Sequence, residues 1–330
     1  MKLLRKIGFP FSLVYGLVVS IRNMMFDKGI FKSLSFDTPT ICVGNLSVGG
    51  TGKTPMIEYL IALLKKNKKL AVLSRGYGRK SKGYIKAEIG TTVEQIGDEP
   101  FQIHKKFPEV TMVVDADRRH GISLLETQEK PDLILLDDAF QHRKVQPAFS
   151  ILLTAYDQLY IDDWYVPTGN LRDSKREARR ADLIVVTKCP SNLKDAEQEK
   201  IIKKLHPLKH QQVLFSSLVY DTVLQGERKT LALGALHDIK ISLVTGIANP
   251  GPLVTYLKEA SIVFEHLEFG DHHFFTEKEI NTFNSKEMIL TTEKDFVRLK
   301  GKVANLFYIR IEHSFIGKGR QQLLDALASL

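Results

Sequence analysis

Short β-branched and aliphatic runs alternate with helical stretches over the first two thirds of the chain. That alternation predicts a parallel sheet with helices on both faces. The expected strands are TICVG (40–44), LAVLSRG (70–76), VTMVVD (110–115), LILLDD (133–138), SILLTA (150–155) and LIVVTK (183–188). Between the first two, TPMIEYLIALLKKN repeats apolar residues at Ile57, Leu60, Ile61 and Leu64, a helical period. Pro55 is tolerated in its first turn, where amide groups lack intrahelical partners anyway.

The texture changes from about residue 212. VLFSSLVYDTVLQ and TLALGAL read as extended segments joining two lobes, and a second α/β unit follows. It contains ISLVTGI, a helix through GPLVTYLKEA, then IVFEHLEFG, DHHFFTEKEINTF, MILTTEKDFVRL and NLFYIRIE. The expected division is an N-terminal segment 1–25, a core 26–225 and a smaller lobe 226–330, with no internal repeat and no low-complexity tract.

The N-terminal segment has its own pattern. After Lys2, Arg5 and Lys6 comes IGFPFSLVYGLVVSI, a run without charge that Arg22 closes. It falls short of the ~20 apolar residues of a spanning helix. No small-residue cleavage site follows, which argues against a signal peptide. Two readings stay open at this point: a helix in the membrane interface, or a buried N-terminal helix. Gly8, Pro10 and Gly16 make the helix imperfect under both.

Composition adds one constraint. Hydrophobic residues at 43% and charged residues at 26% of 330 suit a soluble two-lobed protein, but the formal charge of +9 favours an anionic partner. Nucleotide, nucleic acid and an acidic membrane face all qualify. Cys42 and Cys189 lie in apolar strand-like runs and read as buried structural thiols.

The nucleotide is favoured by VGNLSVGGTGKTP, Val43 to Pro55. A strand feeds a loop carrying Gly49, Gly50 and Gly52, and a helix opens at Lys53. Glycines let backbone amides turn around phosphate oxygens, and the helix N-terminus adds partial positive charge. Ser47, Val48, Gly49, Gly50, Thr51, Gly52, Lys53 and Thr54 are therefore the expected nucleotide cradle, although Ser47 stands where the usual pattern has its first glycine. Lys53 would reach the β- and γ-phosphates and the Thr54 hydroxyl would ligate Mg²⁺. Asp137 and Asp138, at the tip of a buried strand, are the candidate carboxylates for that ion. The fold class is then α/β: a P-loop NTPase-like, doubly wound, mostly parallel sheet with a second, smaller α/β lobe. A nucleic-acid binder would leave this loop and the acidic strand end without a purpose, so no nucleic-acid partner is expected.

LIVVTKCP (183–190) invites a guanine-specific reading, a GTPase-like metal-insertion or regulatory factor. Pro190 occupies the place of the carboxylate that would read guanine, so ATP is the expected nucleotide. Asp98, in GDEPFQIHKKF, reads from sequence alone as a helix N-cap. Asp271, His272 and His273 suit Asp–His hydrogen bonding better than chelation, because adjacent histidines point apart. Arg75, Arg79, Arg118, Arg119 and Arg172 follow strands, where doubly wound sheets bind ligands, and together suggest a polyanionic site.

VGNLSVGGTGKTP, SRGYGR, GDEP, DDAFQHR, NLRD, FGDHHFF and TTEKD together resemble, in order and spacing, the tetraacyldisaccharide 4′-kinases of lipid A biosynthesis. The resemblance spans nearly the whole chain. It implies a membrane-associated enzyme moving the γ-phosphate of ATP, with Mg²⁺, to the 4′-hydroxyl of a tetraacylated glucosamine disaccharide 1-phosphate. It implies Lys53 and Thr54 as the loop lysine and metal-binding threonine, Asp98 as catalytic base and His272 as its partner. Asp137 and Asp138 become the acidic pair near Mg²⁺, with His142 close by, and Arg172 an active-site arginine. Arg75, Arg119 and His142 are candidate substrate contacts. Asp173 replaces the family's glutamate, and a small residue at the Ser47 position is a family trait. An acyl-chained acceptor favours residues 1–25 as the contact with the cytoplasmic face of the inner membrane, peripheral or monotopic. With Asp98 in one lobe and His272 in the other, their pairing is expected to need approach of the lobes.

Overall fold

The computed structural model describes residues 5, 8–328 and 330, so Lys2 and Lys6 lie outside the described residues. The larger sheet is laid down by β1 (Thr40–Asn45), β2 (Leu70–Ser74), β3 (Ile85–Lys86), β4 (Thr111–Val114), β5 (Leu133–Asp137), β6 (Phe149–Ala155), β7 (Leu183–Thr187) and β8 (Gln212–Tyr220). The smaller sheet holds β9 (Val223–Gly226), β10 (Thr230–Ala232), β11 (Ile241–Thr245), β12 (Phe264–Glu268), β13 (Met288–Thr292) and β14 (Leu306–Ile309). Strand β15 (Ile311–Phe315) then returns to the larger sheet.

The larger sheet runs β15-β8-β7-β6-β1-β5-β2-β4-β3, parallel except at its edges β15 and β3. All six expected strands are present, each ending within two residues of its sequence boundary. In the central strand β1 every residue is buried. Ile41 and Val43 pack into the core on one face and Cys42 into that on the other, the period of two expected of a strand covered on both sides.

Helices α1 (Phe9–Asp27), α2 (Lys53–Leu64), α3 (Val93–Ile96), α4 (Asp98–Lys106), α5 (Arg118–Leu124) and α6 (Asp195–Leu205) accompany this sheet. The smaller lobe has α7 (Gly251–Glu259), α8 (Glu277–Asn284) and α9 (Glu293–Leu299), and α10 (Gly319–Leu327) closes the chain. Leu323 and Leu327 of α10 join the core of the larger sheet.

The chain passes from the larger sheet to the smaller between β8 and β9 and returns to the larger at β15. Residues from 311 onward belong to the larger sheet, because His313 pairs with Leu218 and α10 buries its apolar face there. VLFSSLVY is likewise a full strand of the larger sheet, paired with β7, not a free connector. The lobes are tied by the Asp221 amide donating to the Arg310 carbonyl at 3.0 Å. They are tied again by Lys106, which reaches Glu58 at 2.7 Å and Glu293 at 3.1 Å. Burial, with Glu293 adding and Lys106 opposing, pushes the Glu58 carboxyl up to about 7.

Helix α1 is inverted in polarity. Its buried residues are Ser12, Gly16, Val19 and Asn23, one face at three- and four-residue spacing. Ser12 bonds Thr168 at 2.8 Å, the Tyr15 hydroxyl bonds the Arg172 carbonyl at 3.0 Å, and Asn23 bonds Asp173 at 2.7 Å. Gly16 is needed for that fit, since a Cβ there would lie 2.6 Å from the Tyr165 ring. The apolar side, Phe11, Leu13, Val14, Leu17, Val18 and Ile21, faces outward, with Phe11 70% exposed.

Candidate active site

The phosphate loop leaves β1 at the middle of the larger sheet, and β5 lies directly beside it with Val43 in register with Asp137. Register alone therefore brings the carboxylate strand end to the loop. Positive φ occurs at Gly49 (117°) and Gly52 (88°), where an L side chain would be strained, but not at Ser47. Ser47 is instead bridged to Leu171, its hydroxyl 3.3 Å from Asp163. The missing glycine is explained: that position makes no demand only glycine can meet.

Lys53 opens α2 and lies 3.3 Å from Asn45 Oδ1 and 3.8 Å from Asp138. Arg172 reaches Asp138 with both terminal nitrogens, one at 3.0 Å, and Asn45 at 2.7 Å. Burial alone would raise the Asp138 carboxyl, but Lys53 and Arg172 outweigh it and hold it below the usual carboxylate range. Asp137 is the opposite case. It is fully buried, takes a hydrogen bond from Ser74 at 2.9 Å, and has its Oδ1 unpartnered. Burial, with Glu99 and Asp138 adding repulsion, pushes it up to about 7.

A buried carboxylate oxygen without a partner is costly unless a cation meets it. Asn45 Nδ2, Thr51 Oγ1 and Arg172 Nε are also unpartnered and buried around the loop. This donor set fits Mg²⁺ with a polyphosphate. Among the described residues no group of three or more His, Cys, Asp or Glu converges, so Asp137, Asp138 and Thr54 would hold the ion only with phosphate and water oxygens completing its shell. Asp137→Asn is expected to raise the Mg²⁺ concentration for half-maximal activity about tenfold without lowering Tm, as read by metal titration and calorimetry. An unchanged Mg²⁺ requirement would remove Asp137 from the metal site.

Asp98 is not an N-cap. Gly97 caps α4 with φ at 89°, and Asp98 is the first helical residue. Its side chain turns to the smaller lobe, where Oδ2 lies 2.8 Å from His272 Nδ1 and Oδ1 accepts from Arg298 Nε at 3.1 Å. Arg298 Nη2 also donates to Oδ2. Burial works upward on Asp98, and the hydrogen bonds from Arg298 and His272 overcome it, so the carboxyl sits below its ordinary value. The pair is already assembled across the lobes, without the approach that the sequence led us to expect.

Lys294 Nζ is 3.1 Å from His272 Nε2. An ammonium only donates, so Nε2 accepts and Nδ1 carries the hydrogen given to Asp98. Arg298 Nη2, 3.2 Å from the same Nδ1, is then a second donor sharing Asp98, not a bond to the ring.

The remaining candidates divide. Arg75 is exposed beyond β2. Arg119 is engaged with Asp117, its own helix cap, at 3.2 Å. His142 has its Nε2 buried without a partner, and burial with Arg118 lowers it to about 4. Asp173 is wholly buried, its Oδ1 accepting from Asn23 and the Ser174 amide and its Oδ2 unpartnered, so it braces the Arg172 segment on α1.

Arg298 and Lys294 escaped the sequence reading, as did Asn45. The signal existed in TTEKDFVRL: Lys294 and Arg298 are four apart on one helix, hence on one face.

The family model for tetraacyldisaccharide-1-P 4′-kinase matches residues 4–329. The chain belongs to that family. A tetraacyldisaccharide 4′-kinase of Flavobacterium johnsoniae is 51% identical over 331 residues, covering 98% of this chain and 96% of the relative. One of Bacteroides thetaiotaomicron is 45% identical, covering 88% and 82%. The crystal structure of LpxK from Aquifex aeolicus in complex with ATP superposes with a TM-score of 0.81 at 31% identity, covering 98% of each chain. Membership settles the choice among nucleotide proteins: a lipid A 4′-kinase with ATP as donor, not a GTPase-like factor.

Proposed function

We propose that this 4′-kinase transfers the γ-phosphate of ATP to the 4′-hydroxyl of a tetraacyldisaccharide 1-phosphate, with the hydroxyl proton leaving through His272 Nε2. Asp98 then serves as the carboxylate that holds the ring, in place of the base role that the family resemblance implies. The observation that supports this is the engagement of both Asp98 oxygens by Arg298 and His272, at side-chain exposures of 10% for Asp98 and 35% for His272. A carboxylate whose basicity is lowered by a bidentate guanidinium is a poor proton acceptor at neutral pH. An imidazole whose Nδ1–H is fixed by that carboxylate has its other lone pair on Nε2, where Lys294 donates at 3.1 Å until the substrate hydroxyl takes its place.

Lys53 and Arg172 would neutralise charge growing on the transferred phosphoryl group and on the leaving nucleotide. Asp137, Asp138 and Thr54 would hold Mg²⁺, which would supply further neutralisation of phosphate charge. Asp138 holds both cations in place until phosphate replaces it. Incubation with γ-labelled ATP, Mg²⁺ and the disaccharide should place the label on the 4′-oxygen. Label at any other position, or released phosphate alone, overturns the assignment.

We infer docking on the cytoplasmic face of the membrane, and the inverted polarity of α1 supports the contact with lipid. Its span has a mean hydropathy of 1.3 with 28% of it buried, and the polar side is the one bonded to protein. A water-facing helix would reverse that arrangement. Changing Leu13, Val14, Leu17 and Val18 to serine is expected to lower partitioning onto anionic lipid vesicles at least about 100-fold. ATP affinity should stay unchanged, and retained vesicle binding would place the contact elsewhere.

A further inference from the structure

The phosphate loop is gripped from outside its mouth by side chains of two other strands. Thr187 at the end of β7 donates Oγ1 to the Thr51 carbonyl at 2.8 Å. His313, in the middle of β15, has Nε2 3.0 Å from the Gly52 carbonyl and Nδ1 2.6 Å from Ser216 Oγ of β8. Both His313 and Ser216 are buried, at 4% and 0% exposure. Gly52 and the ring are fitted to each other, for a Cβ at Gly52 would stand 3.2 Å from Nε2.

The direction of these bonds follows from the chemistry of the groups. Burial, opposed by the Gly52 carbonyl, lowers His313 to about 4, so the ring is neutral and has one N–H. A carbonyl can only accept, which puts that hydrogen on Nε2. Nδ1 is then an acceptor, and the Ser216 hydroxyl donates to it. Ser216 Oγ is also 3.1 Å from the Ser217 carbonyl, but the shorter contact to Nδ1 takes its single hydrogen.

In a planar trans peptide, C=O and the following N–H point in opposite directions. Drawing the Thr51 carbonyl toward Thr187 therefore aims the Gly52 amide the other way, and drawing the Gly52 carbonyl toward His313 does the same for the Lys53 amide. Those are the amides at the opening of α2, where phosphate is received. The Gly52 carbonyl also accepts from the Met56 amide at 3.0 Å, so helix and histidine hold it together.

We propose that His313, oriented by Ser216, is a positioning residue for nucleotide binding that fixes the Lys53 amide toward the phosphates of ATP. It lies on the strand that returns from the smaller lobe, four residues after the chain leaves β14 at Ile309. His313 belongs to the larger sheet, so the strand that follows the smaller lobe holds the phosphate loop from that sheet's own edge. This inference rests on the phosphate loop and is independent of the roles given to Asp98 and His272.

The test is MgATP binding by calorimetry on the full chain, with Tm and steady-state constants alongside. His313→Phe keeps a ring and removes the donor. It is expected to weaken MgATP about tenfold and to raise the KM for ATP by the same factor, with KM for the lipid unchanged. His313→Gln, which can still donate to the carbonyl, should restore most of the loss. Partial unfolding would cut kcat through the active fraction and leave the KM for ATP alone, so that pattern, or unchanged MgATP affinity in folded His313→Phe, overturns the proposal. If His313→Phe does not fold, Ser216→Ala decides: a threefold or greater loss of MgATP affinity with lipid KM unchanged supports the role, and no loss refutes it.

Discussion

Lys53→Met is expected to lower kcat about 1000-fold while leaving the fold intact and the KM for lipid within about twofold. The reasoning starts from what Lys53 touches. Its ammonium lies between Asn45 Oδ1 and Asp138 in a half-buried position at the start of α2. A phosphate arriving at the loop competes with Asp138 for it, and the charge on the transferred group grows in the transition state, when the interaction is strongest. Methionine preserves the stem and removes only the charge. Asp138 loses an opposing cation but keeps Arg172, so stability should change little. Rapid-quench measurement of a single turnover, with MgATP affinity measured separately, separates this from a binding defect. A variant that keeps more than a tenth of the chemical rate would show that Arg172 and the loop amides carry the charge without Lys53.

How much of this was legible in the sequence depended on how local each feature is. The six core strands were readable because a strand buried on both faces needs an unbroken apolar run, and each run is contiguous. The loop was readable because its demands for small residues and a helix N-terminus fall within a dozen positions. What could not be read was set by contacts between distant segments. Asp98 looks like a cap because its near neighbours are a glycine and a proline; its actual partners, His272 and Arg298, come from the other lobe. The return of β15 was hidden for the same reason. NLFYIRIE reads as one strand, whereas the chain changes sheet at Arg310, and no local pattern distinguishes an apolar residue facing one core from an apolar residue facing the other. The N-terminal helix was half legible: its hydropathy could be counted, but which side is buried depends on Tyr165, Thr168 and Asp173.

The sharpest separation of the two possible bases comes from a double-mutant cycle on Asp98 and His272. If the proton enters at Nε2 of a ring held by Asp98, the two side chains act as one unit. His272→Ala should then cost about 1000-fold in kcat, Asp98→Ala a similar factor, and the double variant scarcely more than either. If Asp98 were the base by itself, His272→Ala would cost far less than Asp98→Ala and the two effects would add. The stabilities must diverge at the same time. His272 is partly exposed, and its removal leaves the Asp98–Arg298 pair in place, so Tm should hardly move. Removing Asp98 takes away both of its bonds to the Arg298 guanidinium, whose side chain is only 4% exposed and keeps Asp295 at 3.4 Å. The loss should exceed that of His272→Ala but stay below the roughly 3–5 kcal/mol of an uncompensated buried charge. Equal catalytic losses with unequal stability losses are therefore the signature of a carboxylate that braces both an imidazole and a lobe interface. Additive kinetic losses would return the base role to Asp98.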